Sequence, residues 1–303
     1  MTPLLPAAVY STGVWLAVFA AFGFSFKAIL VKLAYALPAV APVEPVTLLA
    51  LRMVFSLLAF IFVGLRESQN AAPLTRRDWT ALAILGLLGY YGASILDFIG
   101  LRYITAGLER LILFIYPTLT VLLGALFFGK RVVWREAAAL VLCYLGVAAA
   151  FVHDLKLSSD ETSVWIGSAC IFGSALAYAL YLVGSGQMIA RLGAARFTAL
   201  AMLVSTAASF IHFLATQPLA SLIQPWQIYA IAFAMALFCT VLPVFAQSAA
   251  IHRIGSGRAA LIGTIGPLLT IFFAWPILGE TISIEQIAGA ALVAIGVVLV
   301  SRR

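Results

Sequence analysis

The amino-acid sequence predicts an all-α integral membrane protein. It should have ten transmembrane helices, built as two inverted five-helix repeats, with both termini cytoplasmic. Three observations predict this. First, the 303 residues are 64% hydrophobic and 10% charged, with a mean hydropathy of +1.12, whereas a soluble domain averages about half apolar and a quarter charged. Such a chain cannot cover its surface with polar groups, which excludes a soluble globular protein, a disordered chain and a disulfide scaffold. Second, the apolar residues fall into ten runs, each near the roughly 20 residues that cross a bilayer. Third, the two halves of the chain match at a constant offset of 150 residues.

The runs are 13–35, 46–65, 79–98, 105–127, 134–152, 163–183, 197–217, 226–248, 257–278 and 283–301. The first has no preceding Lys or Arg and is too long for a signal-peptide core, so it is read as a span. The stretch 197–252 contains no Asp, Glu, Lys or Arg. Gln217-Pro218 and Gln224-Pro225-Trp226 divide it, because proline removes a donor and disfavours helix for the residue before it. No run alternates like a barrel strand, so helices must satisfy the backbone.

Alternating ten spans sorts the eighteen Lys and Arg. Twelve fall on one side: Arg66, Arg76, Arg77, Lys130, Arg131, Arg135, Arg191, Arg196, Arg253, Arg258, Arg302 and Arg303. Three fall on the other, Arg102, Arg110 and Lys156, while Lys27, Lys32 and Arg52 lie inside spans. The excess marks the cytoplasmic side of the inner (cytoplasmic) membrane. A net charge of +7 in a soluble protein would suggest nucleic acid. Here the basic residues are scattered between apolar runs and set orientation, so no nucleic-acid partner is expected.

The repeat is carried by residues that chance rarely aligns. Gly107 matches Gly257, Leu111 matches Leu261, Pro117 matches Pro267, Thr120 matches Thr270 and Gly129 matches Gly279. Gly146-Val147 matches Gly296-Val297, Val14-Trp15 matches Val164-Trp165, and Phe22-Gly23 matches Phe172-Gly173. Five spans per half is an odd number, so the second half enters the membrane from the opposite face. Inverted repeats of this kind build many secondary transporters, with substrate bound near the midplane between the halves.

The blocks at 100–150 and 250–300, each ending in Gly-Lys or Gly-Glu before a final helix, resemble EamA domains of the drug/metabolite transporter superfamily. The resemblance covers two domains, 13–152 and 163–301, and is nearest to the YddG-like aromatic amino-acid and metabolite exporters. It implies a ten-helix basket around a central cavity lined mainly by spans 1, 3, 4, 6, 8 and 9. It also implies export of amino acids, aromatic and other, and of related metabolites. One departure is clear. Many EamA domains carry Glu-Pro in the fourth span, where this chain has Tyr116-Pro117 and Gly266-Pro267. It therefore lacks that carboxylate and that route to proton coupling.

Ionisable residues inside spans are costly and mark function by default. Lys27 is the deepest, and suits either a substrate carboxylate or a structural acid partner. Lys32 lies about 140° further round the helix and is expected to snorkel to the headgroups. Glu109, Leu113 and Tyr116 share one face of the fourth span at i, i+4 and i+7. With Asp97 at the same level, Lys27, Asp97 and Glu109 form a candidate charged cluster; Arg52 is read as a structural tie. Tyr90, Tyr91 and Tyr116 are too central for an interfacial belt, and with Tyr178 and Tyr181 they are candidates to line a pathway for amphipathic ligands. Thr240 and Trp275 complete the candidate pathway. Pro117, Pro267 and Pro243 should kink their helices.

Cys143, Cys170 and Cys239 are read as small buried hydrophobes, and neither they nor the histidines have metal-ligand spacing. With no phosphate-binding loop or catalytic motif, neither a cofactor nor direct use of ATP is expected. The resulting expectation is a monomeric secondary transporter of small molecules, working by alternating access. A transporter of another cargo (a drug, nucleotide-sugar or lipid precursor) is the alternative, and a membrane enzyme a weaker one.

Overall fold

The computed structural model describes residues 7–37, 43–69, 71–129, 133–157, 160–254, 262–263 and 265–301. Residues 257–261 of the ninth run, and Lys130, Arg131, Arg258, Arg302 and Arg303, lie outside the described residues. The chain is all-helical there. We number the helices α1 (Ala7–Ala36), α2 (Pro45–Ser68), α3 (Arg76–Gly100), α4 (Ala106–Leu113, then Tyr116–Phe128), α5 (Trp134–Leu157) and α6 (Glu161–Leu192). After these come α7 (Ala194–Thr216), α8 (Trp226–Ala236 continuing to Leu242–Ile254), α9 (Gly266–Leu278) and α10 (Ile284–Ser301). Among the described residues, eight helices are long and apolar enough to cross a membrane, and α9 and α10 are shorter apolar helices.

Local chemistry sets the ends. Thr75 and Asp78 form a reciprocal capping box at the start of α3, and the Thr105 side chain accepts from the Leu108 amide at the start of α4, satisfying amides that have no intrahelical partner. Asp160 does the same for α6 through the Thr162 amide. Helix α6 runs nine residues past the expected 183. Nothing in Gly184–Leu192 stops it until Gly193, whose φ of 80° only glycine adopts freely.

The same local features recur 150 residues apart. Single π-turns interrupt α3 at Leu87–Gly92 and α8 at Leu237–Val241. In α4 the Ile115 amide donates to the Ile112 carbonyl, and the helix restarts at Tyr116 with Pro117 in its first turn. In α9 the Ile265 amide donates to the Ile262 carbonyl, and Pro267 sits in the first turn. Both helices end at glycines with positive φ, 62° at Gly129 and 70° at Gly279. Pro243 follows the π-turn of α8, but the π-turn of α3 has Ala93 in that place, so proline is not what creates these turns.

Packing repeats in the same way. Helix α1 lies against α8 and α9, as α6 lies against α3 and α4; α2 pairs with α7, and α5 pairs extensively with α10. Cys143 Sγ lies 3.7 Å from the carbonyl of Val293, its own counterpart at the 150 offset. Outside this core, Trp15, Leu58, Phe62, Leu65, Leu126, Ile211 and Trp226 are exposed. An apolar girdle of that kind is stable only against lipid.

Candidate functional site

Helices α1, α3 and α4 meet at a buried ionic cluster. Lys27 Nζ of α1 lies 2.8 Å from Asp97 Oδ2 of α3 and 3.6 Å from Glu109 Oε1 of α4; the acid side chains are 1% and 0% exposed, and that of Lys27 16%. Among the described residues, Asp97 Oδ1 and Glu109 Oε2 meet no hydrogen-bond partner outside the two acids themselves. Two further cations stand close by. Arg52 of α2 donates to Ser94 Oγ at 3.0 Å and lies over the Phe98 ring. Arg110 stacks 5.4 Å above the Phe114 ring and is buried within α4, whereas the sequence counts it among the outer-side charges at the opening of the fourth span.

From this cluster an aromatic run leads along α4 into α6. Phe114 touches Tyr116, whose ring lies 5.0 Å from that of Tyr178 in T-shaped contact. Tyr178 stacks on Tyr181 at 5.6 Å, and the Tyr181 hydroxyl hydrogen-bonds the Tyr90 hydroxyl at 2.9 Å. Gly89 makes this possible, because a Cβ there would stand 2.3 Å from the Tyr181 ring. Tyr91 turns the other way, with its hydroxyl 2.7 Å from His212 Nδ1 of α7. Leu113 packs with the apolar groups around α4 and α5. The Thr240 hydroxyl is spent on the Met235 carbonyl inside its π-turn. Trp275 is 57% exposed, on one face of α9 with Leu268 and Phe272, apart from the tyrosines.

Lys32 corrects an expectation. Its ammonium does not reach for headgroups; it donates to the Ile104 carbonyl at 2.7 Å and lies 3.8 Å from Glu280. Glu280, given no role in the sequence beyond the Gly-Glu of the second block, accepts from the Ala106 and Gly107 amides and so caps α4 from the loop before α10. Asp154 joins the same end by accepting from Thr105. The visible signal was the 150 offset, which sets Glu280 against Lys130. Burial raises the Glu280 carboxyl above the ordinary glutamate range, against the lowering pull of Lys32 and the two amides. Folding therefore strengthens this carboxyl's hold on its proton relative to the unfolded chain. The contribution of Glu280 to stability is fullest in acid and shrinks as pH rises through its raised pKa. Thermal melts from acidic buffer, below the ordinary glutamate pKa, up to neutral buffer should fall less steeply for Glu280→Gln than for the parent chain.

Comparison with known proteins agrees with this fold. The model of the EamA-like transporter family matches residues 11–152 and again 165–302. The chain is similar to the uncharacterized transporter YcbK of Bacillus subtilis (29% identity, covering 88% of this chain and 85% of the relative). It is also similar to a probable terminal-alkyne amino-acid exporter of Streptantibioticus cattleyicolor (26% identity, 75% of this chain and 74% of the relative). A crystal structure of 18% identity superposes with a TM-score of 0.63 over 95% of this chain and 96% of the other, a likeness of fold. With the family model matching twice over nearly the whole length, this multi-pass membrane protein belongs to the EamA-like transporter family.

Proposed function

We propose that the protein exports amino acids, aromatic ones included, and related metabolites across the cytoplasmic membrane by alternating access. The observation that carries this reading is the continuity of the buried ionic cluster with the tyrosine run. An amino acid needs charged partners for its head and an amphipathic wall for its side chain, and the two adjoin at Arg110, Phe114 and Tyr116. The similar exporter of terminal-alkyne amino acids supports the same class of cargo.

The machinery we propose is ten crossings in two inverted repeats, 13–152 and 163–301, around a central cavity. The matched π-turns, glycine caps and exchanged packing partners support it, since two like halves can swap conformations and move access from one face to the other. The twelve-to-three division of Lys and Arg supports cytoplasmic termini. We propose that the transporter works as a monomer, without a cofactor and without catalysing a reaction.

Counterflow of labelled amino acids in proteoliposomes tests the reading. Exchange of several amino acids is the expected result; failure to exchange any of them would overturn it. Within that assay, Tyr178→Ala should weaken exchange of aromatic amino acids by about tenfold, the scale of one lost aromatic pair. Exchange of alanine should change little.

A further inference from the structure

The charges of the buried cluster do not balance. Lys27, Arg52 and Arg110 supply three basic groups against the two acids Asp97 and Glu109. The three stand beside the two acids: Lys27 is paired with both, Arg52 lies over the ring of Phe98, the neighbour of Asp97, and Arg110 follows Glu109 in α4. Lys27 is committed to both acids. Arg52 is tied to Ser94 and Phe98. Arg110 is 5% exposed and touches the face of Phe114; its Nε, like that of Arg52, is unpartnered, but among the described residues Arg110 has no counterpart of the Arg52–Ser94 hydrogen bond. A buried cation without a partner is costly and calls for an anion. A guanidinium is the side chain whose planar fork fits a carboxylate with two parallel hydrogen bonds.

We infer that Arg110 is the specificity-determining residue for the substrate's carboxylate, which completes the charge of the cluster when it binds. The amino-acid reading above is the basis, and the inference narrows it. The recognised class is carboxylates that carry an apolar or aromatic body. The body lies along Phe114 and Tyr116, and in an amino acid the ammonium faces the open oxygens of Asp97 and Glu109. Lys27 then has the different task of holding the two acids.

The test uses the detergent-purified full chain and four probes sharing one ring: L-phenylalanine, 3-phenylpropionate, L-phenylalaninamide and phenethylamine. Thermal stabilisation is followed against probe concentration. The two carboxylates should raise the melting temperature, and the amide and amine should not. Arg110→Gln should weaken the carboxylate response by about 10- to 100-fold, the scale of a charge-assisted hydrogen bond, and Arg110→Lys should retain part of it. The inference is overturned if the amide stabilises the parent chain as well as the acid does. It is equally overturned if no carboxylate stabilises the parent chain, or if Arg110→Gln keeps the preference for acids. Should Arg110→Gln fail to fold, the four probes on the parent chain and on Arg110→Lys decide. Counterflow separates this inference from the broader reading. Amino-acid exchange with equal binding of acid and amide removes only the role of Arg110, whereas acid binding without amino-acid exchange removes only the export reading.

Discussion

Lys27→Met is expected to lower stability by about 3–5 kcal/mol, the cost of removing one partner from a buried ion pair, and to abolish exchange. The reason is geometric. Asp97 and Glu109 are all but excluded from solvent and share this one ammonium. Without it, the two acids keep only Arg52 and Arg110 nearby, held by Ser94 and Phe98 and by Phe114 and paired with neither acid, in a low-dielectric site. Asp97→Asn should cost less, because Lys27 keeps Glu109 within 3.6 Å. The decisive variant is the double one. Lys27→Met with Asp97→Asn removes one charge of each sign and should recover much of the loss, so the cycle should show a large coupling energy. Thermal melts in detergent read the stability, and counterflow reads the function. A Lys27→Met protein that melts like the parent chain would mean that the cluster is solvated.

The repeat and the site were legible to different degrees, for one physical reason. The fold depends on features both halves share. Pro117 and Pro267, and Gly129 and Gly279, stand 150 residues apart and perform the same backbone task, so self-comparison of the sequence finds them. The candidate site depends on what the halves do not share. At the 150 offset Lys27 faces Ala177, Arg52 faces Met202, Asp97 faces Gln247, and Glu109 and Arg110 face Ala259 and Ala260. All the charge of the cluster therefore belongs to the first half. That asymmetry was open to inspection and marks the same five residues.

What the sequence withheld is how each helix is rotated against its neighbours. A period of 3.6 places residues on a face without saying what the face meets. Lys32 could thus be assigned to lipid when it meets Ile104 and Glu280. Tyr91 could be grouped with Tyr90 when the two adjacent residues point to different helices, α7 and α6. Arg110 could be counted with the outer-side charges because it opens an apolar run, yet the start of α4 is itself covered, by Glu280 and by α10.

Gly289→Val should be the most damaging change outside the ionic cluster. Helices α5 and α10 approach until their backbones touch. A Cβ on Gly289 would stand 2.4 Å from the Gly146 carbonyl oxygen, and one on Gly146 would stand 2.5 Å from that of Gly289. Neither obstacle is a flexible side chain, so the helices themselves must separate. In lipid, helix association rests on close packing more than on the hydrophobic effect, and separation forfeits dispersion contact along the whole pair. Overpacking costs about 1–3 kcal/mol when side chains can yield; here the backbone must yield, and the expected loss is at or above that range. Gly124→Ala is the matched control. Nothing lies within 4 Å of its Cβ position, and replacing a helical glycine by alanine gains about 0.5–1 kcal/mol. Size-exclusion profiles and thermal melts of the two variants should therefore move in opposite directions. If Gly289→Val kept the parent melting temperature, α5 and α10 would not pair through these glycines, and the symmetric contact between Cys143 and Val293 would lose its basis.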